Sequence, residues 1–242
     1  MSSRWAYGLA VAVATLAALA VGRHLPLPAC VLTAFLLVPL PVFMRWQARV
    51  SQGRAEAVPR SGLYLSSALL LWTLAGLTAA VAMGSGIGAA QLGLRPAPPL
   101  ALGAWTVGAY AAGLAVMVLG RLLRIAETPL LRHLIPISRL EKLSFAALAL
   151  SAGFAEELVF RGFLLWALLH ATGSVTLALA ASSAVFGIMH AYQDVGGAAR
   201  AAILGAVLAV PVLLTGSIVP AMVAHAAIDL TSGLLLARWL LR

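Results

Sequence analysis

The chain has 242 residues, of which 62% are hydrophobic and only 10% are charged. A soluble domain carries about 25% charged residues, so this composition excludes disordered, fibrous and ordinary soluble proteins and indicates a polytopic membrane protein. The formal net charge is +9, from 16 basic and 7 acidic residues, and in a membrane protein such an excess is typical of cytoplasmic loops rather than of nucleic-acid binding.

Eight apolar segments approach the length of about 20 residues that a helix needs to cross a bilayer. In chain order they are 5–22, 27–44, 63–83, 100–120, 143–169, 174–190, 198–215 and 217–240. We therefore predict an all-α fold with about eight transmembrane helices. The first segment also resembles a secretory signal, because Arg4 precedes a long apolar run that contains small residues near its end. That alternative leaves the topology of the other helices unchanged.

The basic residues orient these helices. Most of them fall in loops that are cytoplasmic when the N-terminus is inside, whereas only Arg23 and Arg95 fall outside and Arg161 lies within a span. The positive-inside rule thus predicts a multi-pass protein of the cell (inner) membrane with both termini in the cytoplasm. We expect an N-terminal scaffold, residues 1–142, that ends in an inner interfacial segment, and a second part that carries the chemistry, residues 143–242.

Ionisable side chains cluster in the last four apolar segments. Such a group costs roughly 2.5–3.5 kcal/mol in a span on insertion scales, so it usually faces a cavity and has a function. Glu157 and Arg161 are spaced i, i+4 in the order that pairs best, and we expect them to form a structural ion pair. Glu156 is rotated away from Arg161, which leaves it available as a general base. The alternative is a buried ion pair with Glu156 as a spectator.

Two further motifs carry histidines. Phe186 and His190 end the sixth segment, and His225 and Asp229 share one face of the eighth at i, i+4 spacing. Each motif alone is compatible with a structural role, but buried polar groups need partners. We therefore predict one polar active site between helices five, six and eight. Asp194, four residues after His190, either orients that imidazole or caps a solvated turn.

Three ordered motifs resemble those of a known family. Glu-Glu-x-x-x-Arg (156–161), Phe-x-x-x-His (186–190) and His-x-x-x-Asp (225–229) are similar to the motifs of the CPBP family. Its members are the CAAX-protease and bacteriocin-processing intramembrane peptidases, also called the Abi family. The resemblance covers residues 145–235 and implies an intramembrane endopeptidase of the glutamic type, formerly regarded as metallo-type.

The same resemblance implies roles for the motif residues. Glu156 and His190 would activate a water molecule, and His225 and Asp229 would stabilise the oxyanion or hold the site in shape. The supporting residues would be Glu157, Arg161 and Phe186. Eukaryotic CAAX proteases carry Asn where this chain has Asp229, so Asp229 either is protonated or orients His225 and leaves the donor role to that imidazole.

No cofactor is favoured, but one alternative stays open. Glu156, His190 and His225 also suit a zinc ion with a bound water, whereas the single cysteine, Cys30, excludes a cysteine-based site. The expected partners are the lipid bilayer and a membrane-embedded or lipid-anchored protein or peptide substrate, with no nucleic acid. Two other functions compete with the peptidase: a proton- or ion-coupled transporter, and a non-catalytic membrane scaffold or immunity protein of the same fold.

Overall fold

The computed structural model describes residues 2–50, 58–125 and 128–240, and it omits the side chains of residues 2–7 and 50. The side chain of Arg4, on which the signal-segment alternative depends, therefore lies outside the described part. Within that part all regular structure is helical, as the sequence predicts. The α-helices are α1 (Ser2–Val21), α2 (Leu27–Leu37), α3 (Pro39–Val50), α4 (Arg60–Gly84), α5 (Pro99–Leu122), α6 (Pro129–His133), α7 (Arg139–Glu157), α8 (Leu165–Thr172), α9 (Val175–Met189), α10 (Asp194–Thr215), α11 (Val219–Leu230) and α12 (Ala237–Leu240).

Six helical segments of the described residues are long and apolar enough to cross a membrane. They are Leu27–Arg49, Arg60–Gly84, Pro99–Leu122, Arg139–Thr172, Ala191–Thr215 and Val219–Leu240. Many outward-facing side chains on them, such as Leu69, Leu100 and Val107, are apolar and exposed, which suits contact with lipid. The chain is therefore a multi-pass membrane protein. Gly8–His24 and Val175–Met189 are apolar but shorter, so a total of eight spans stays a prediction.

The longest helical segment carries the double-glutamate motif. It begins at α7, where Ser138 and Glu141 form a reciprocal capping box, and it continues through α8 to Gly173, whose φ of 66° ends the helix. Between α7 and α8 lies a π-helical turn, Leu158–Leu164. Such turns are rare in proteins, and those that do occur are often at functional sites. Here the turn begins directly after Glu157 and contains Arg161.

Small residues bring the motif-bearing helices together. A Cβ atom at Gly153 of α7 would lie 2.7 Å from the backbone nitrogen of Ala226 in α11, and one at Gly187 of α9 would lie 2.6 Å from the carbonyl oxygen of Ala198 in α10. Helices in membranes approach closely where such residues face one another. The two contacts fix α7 against α11 and α9 against α10.

The connections on the two sides of the bundle are also fixed. In the connection between α4 and α5, Arg95 Nε donates to the Gly216 carbonyl oxygen at 2.8 Å, and a Cβ atom at Gly216 would overlap the Arg95 guanidinium. In the predicted inner segment, the structure forms the short helix α6. Tyr64 of α4 donates to the Leu134 carbonyl oxygen at 2.8 Å, which ties the end of α6 to α4.

Candidate active site

A cavity of about 530 Å³ lies between the helices and contains the predicted catalytic residues in its wall. Glu156 comes from the end of α7, His190 follows α9, and His225 and Asp229 come from α11. Sequence positions as distant as 156 and 229 thus meet at one cavity. Its wall also extends to Leu134, beside α6, so the cavity reaches from Glu156 to the predicted inner segment.

Behind this wall, Glu157 connects two helices. Its Oε1 atom accepts a hydrogen bond from Arg161 Nη1 at 2.7 Å and lies 2.8 Å from His225 Nδ1. All three side chains are buried, and Glu157 is 0% exposed. The ion pair predicted from the i, i+4 spacing is therefore present. The contact with His225 was not predicted.

The bond to Glu157 fixes the orientation of His225. A carboxylate that is paired with an arginine only accepts hydrogen bonds, so the hydrogen must lie on His225 Nδ1. His225 Nε2 then faces the other two acidic groups, at 3.6 Å from Asp229 Oδ2 and 4.0 Å from Glu156 Oε2. The imidazole thus lies among three carboxylates, with Nε2 on the side of the two that line the cavity.

Phe186 packs against two residues of the site, Arg161 and His225. Its ring lies under the Arg161 guanidinium, with Cζ 4.2 Å from the ring centroid, and contacts His225 edge to face at 6.0 Å. A cation over an aromatic face gains about 0.5–2 kcal/mol, most where it is desolvated. Phe160 packs edge to face against the same ring, with centroids 5.2 Å apart. Phe186 therefore supports Arg161 and His225 by contact.

The orientation of His190 is set by its own helix. His190 Nδ1 lies 2.8 Å from the Phe186 carbonyl oxygen, and a carbonyl accepts only, so Nδ1 carries the hydrogen and the neutral ring has its lone pair on Nε2. Asp194 does not orient this imidazole. It is exposed, has a φ of 69°, and its Oδ1 atom accepts from the backbone nitrogen of Val195 at 2.7 Å. Of the two predicted alternatives, the solvated turn is correct.

Glu156 differs from its neighbour. Its side chain is 14% exposed, and its buried Oε2 atom has no hydrogen-bond partner among the described residues. The adjacent Glu157 has two partners on Oε1, although its buried Oε2 atom also has none among the described residues. Two consecutive glutamates therefore occupy distinct environments, one bonded within the protein and one at the cavity.

Sequence reasoning did not identify Tyr192 and Gln193, which form a 3₁₀ turn with Ala191 directly after His190. Both line the cavity, as does Arg200 of α10. Gln193 Nε2 donates to the Tyr192 hydroxyl at 3.1 Å. Their proximity to His190 in sequence was the available signal, but neither residue belongs to a charged motif.

The side chains assigned to the zinc alternative do not fit a metal site in this arrangement. Across residues 2–50, 58–125 and 128–240, no group of three or more His, Cys, Asp or Glu side chains has the spacing to hold a metal ion. Each imidazole is bonded through Nδ1, His225 to Glu157 and His190 to a carbonyl group. Such bonds leave Nε2 of both rings available, as they also do in histidines that bind a metal.

Comparison with known proteins adds an independent observation. Residues 139–231 match the family model described as type II CAAX prenyl endopeptidase Rce1-like. The match confirms the resemblance to the CPBP family. It begins at the first residue of α7 and extends past Asp229 into the turn after α11, so it includes all the motif residues and supports a membrane endopeptidase of the CAAX-protease type. No curated protein and no solved structure matches the chain significantly.

Proposed function

We propose that the chain is an intramembrane endopeptidase in which Glu156 and His190 activate water to hydrolyse a peptide bond. The observation that carries this proposal is the buried Oε2 atom of Glu156, which lines the cavity without a partner among the described residues. A buried polar atom without a partner costs free energy. Water or a substrate group in the cavity would supply that partner, and a carboxylate beside it is well placed to accept a proton.

In the proposed reaction, the water oxygen forms a bond to the carbonyl carbon while one of its protons passes to Glu156. His190 Nε2, which carries a lone pair in the neutral ring, accepts a hydrogen bond from the same water and orients it. The bond between the carbonyl carbon and the amide nitrogen then breaks. Glu156 returns the proton to that nitrogen, which leaves as an amine. All atoms and protons are accounted for by water, substrate and these two residues.

His225 is the proposed oxyanion donor. Its Nδ1 hydrogen is used by Glu157, so donation from Nε2 requires the cationic ring with hydrogens on both nitrogens. Asp229 Oδ2 at 3.6 Å and Glu156 Oε2 at 4.0 Å favour that cation electrostatically. We infer that Asp229 orients and charges His225 and does not itself face the oxyanion, because a second anion there would repel it.

The substrate is proposed to be a membrane-embedded or lipid-anchored peptide. The family description names a CAAX prenyl endopeptidase, and the cavity wall is mostly apolar, with Leu63, Leu70 and Leu130 among its residues. Apolar pockets with a few polar groups bind substrates that carry an apolar chain. Because the cavity reaches the predicted inner segment, we propose that cleavage occurs toward the cytoplasmic leaflet.

The test compares membranes that contain the wild type with membranes that contain Glu156→Gln or His190→Ala. New peptide N-termini are labelled chemically and identified by mass spectrometry. We expect one or a few termini that appear with the wild type and disappear with either variant, while the uncut precursor accumulates. His170→Ala is the matched control, since His170 Nδ1 also bonds a carbonyl oxygen four residues earlier, at 2.8 Å, but lies outside the cavity wall.

Two results would reject the endopeptidase. One is an unchanged set of N-termini in the Glu156→Gln membranes, provided that the variant is folded and present at wild-type amounts. The other is proton or ion flux in proteoliposomes that depends on Glu156 while no peptide is cleaved. The second result would favour the transporter.

A further inference from the structure

Tyr192 follows His190 by two residues and lies at the same cavity. The two rings have centroids 6.0 Å apart at an interplanar angle of 32°. Glu156, His190 and Asp229 line that cavity together with Tyr192. Tyr192 is therefore adjacent to the proposed catalytic groups, although no sequence motif includes it.

A chain of hydrogen bonds shows that the Tyr192 hydroxyl does not donate to Gln193. Arg200 Nη2 donates to Gln193 Oε1 at 3.5 Å, which identifies that atom as the amide oxygen and turns Nε2 of the same amide toward Tyr192. Gln193 Nε2 donates to the phenol oxygen at 3.1 Å. The phenol therefore accepts from Gln193, and its own hydrogen must point elsewhere.

That hydrogen has no acceptor in the described part of the chain, since the bond from Gln193 is the one hydrogen bond that Tyr192 forms there. A hydroxyl that lines a cavity and retains an unused donor is suited to bind an oxygen of a ligand. Tyr192 is thus suited to donate a hydrogen bond.

We propose that the Tyr192 hydroxyl donates a hydrogen bond to the oxyanion that forms from the carbonyl oxygen of the scissile peptide bond. This inference rests on the proposed endopeptidase function. Gln193 and Arg200 are positioning residues in this scheme, because they act through the orientation of the phenol. Together with His225 Nε2 of α11, Tyr192 of the turn after α9 gives the oxyanion two donors.

The experiment measures the initial rate at which Glu156-dependent N-termini appear in isolated membranes containing equal amounts of each variant. Tyr192→Phe removes only the hydroxyl, and we expect the rate to fall about 100-fold, as on loss of one oxyanion donor. Tyr110→Phe is the matched control. Its hydroxyl lies 3.0 Å from Thr231 Oγ1, outside the cavity wall, and we expect the wild-type rate.

A second variant tests the orientation and keeps the phenol. Gln193→Glu retains an acceptor for Arg200 but replaces the amide donor by a carboxylate, which draws the Tyr192 hydrogen away from the cavity. We expect at least a tenfold lower rate. A third measurement separates catalysis from binding: the precursors captured by Glu156→Gln should be captured in equal amount by Glu156→Gln/Tyr192→Phe.

The outcomes distinguish the two proposals. The role of Tyr192 is overturned if Tyr192→Phe or Gln193→Glu cleaves within threefold of the wild-type rate while Glu156→Gln is inactive. That result would still support the endopeptidase function. Loss of precursor capture in the double variant also overturns it, because Tyr192 would then act in substrate binding. If the wild type produces no Glu156-dependent termini, both proposals fail.

Discussion

His225 Nδ1 lies 2.8 Å from Glu157 Oε1, although the two residues are 68 positions apart in the chain. The bond joins α11 to the end of α7, directly before the π-helical turn. Glu157 also accepts from Arg161 on the same oxygen. Glu157 therefore holds the histidine of one motif and the arginine of another, and the free carboxylate beside it belongs to Glu156.

The buried ion pair makes a first prediction about stability. Glu157→Leu leaves the Arg161 guanidinium, whose side chain is 3% exposed, without its charge partner. Breaking a buried pair in this way costs about 3–5 kcal/mol. We expect a large drop in the midpoint of thermal unfolding of the protein in detergent.

A double variant identifies the cause of that drop. In Glu157→Leu/Arg161→Leu no buried charge is stranded, so the double variant should be more stable than Glu157→Leu alone. Glu156→Leu is the matched control at the adjacent carboxylate. Because Glu156 Oε2 lacks a partner in the described structure, its removal should leave the midpoint unchanged or raise it. An equal drop in the unfolding midpoint for Glu156→Leu and Glu157→Leu would contradict the conclusion that Glu157 is the glutamate that stabilises the fold.

Metal dependence gives the second prediction. The proposed mechanism uses water that is activated by Glu156 and His190, so cleavage in isolated membranes should persist after treatment with 1,10-phenanthroline. Purified protein should contain much less than one zinc per chain by elemental analysis. Loss of cleavage with the chelator and its recovery on addition of zinc would require a different arrangement of Glu156, His190 and His225 from the one in the structure.

The sequence predicted most helices well, because a bilayer-spanning segment is a long apolar run and requires little tertiary information. It also predicted the pair of Glu157 and Arg161, since i, i+4 spacing on a helix is local. The bond between Glu157 and His225 was not predictable in this way. It depends on how α7 and α11 pack, and that packing depends on Gly153, which resembles many other small residues in the sequence.

The π-helical turn and the cavity-lining turn after α9 were missed for a related reason. Apart from Arg161, Leu158–Leu164 has the composition of an ordinary apolar helix, so its local sequence does not indicate a π-helical turn. Tyr192 and Gln193 are uncharged, so a search for ionisable groups in apolar segments passes over them. The donor role of Tyr192 becomes evident only when the direction of each hydrogen bond is known.

Asp229 makes a third prediction. Asp229→Asn retains an oxygen atom near His225 Nε2, at 3.6 Å from Asp229 Oδ2 in the structure, and removes only one negative charge, since Glu156 and Glu157 still lie beside the ring. Asp229→Ala removes both the oxygen atom and the charge. We expect Asp229→Asn to keep cleavage within about tenfold of the wild type and Asp229→Ala to lose roughly 100-fold or more, as when an oxyanion donor is displaced. Equal activity of the two variants would show that this oxygen is not used.

Gly153 gives the last prediction, since it sets the distance between α7 and α11. A Cβ atom there would lie 2.7 Å from both Ala226 N and Ala226 Cβ and 2.8 Å from the Met222 carbonyl oxygen. Backbone atoms cannot move aside as a flexible side chain can, so Gly153→Ala should force the helices apart and cost about 1–3 kcal/mol.

The control is Gly103→Ala in α5, where a Cβ atom meets nothing within 4 Å of the described structure and helix propensity favours Ala by about 0.5–1 kcal/mol. Because Glu157 and His225 lie on the two separated helices, Gly153→Ala should lower both the unfolding midpoint and the cleavage rate, whereas Gly103→Ala should lower neither. Wild-type stability and activity in Gly153→Ala would show that the close contact of α7 and α11 does not hold the site together.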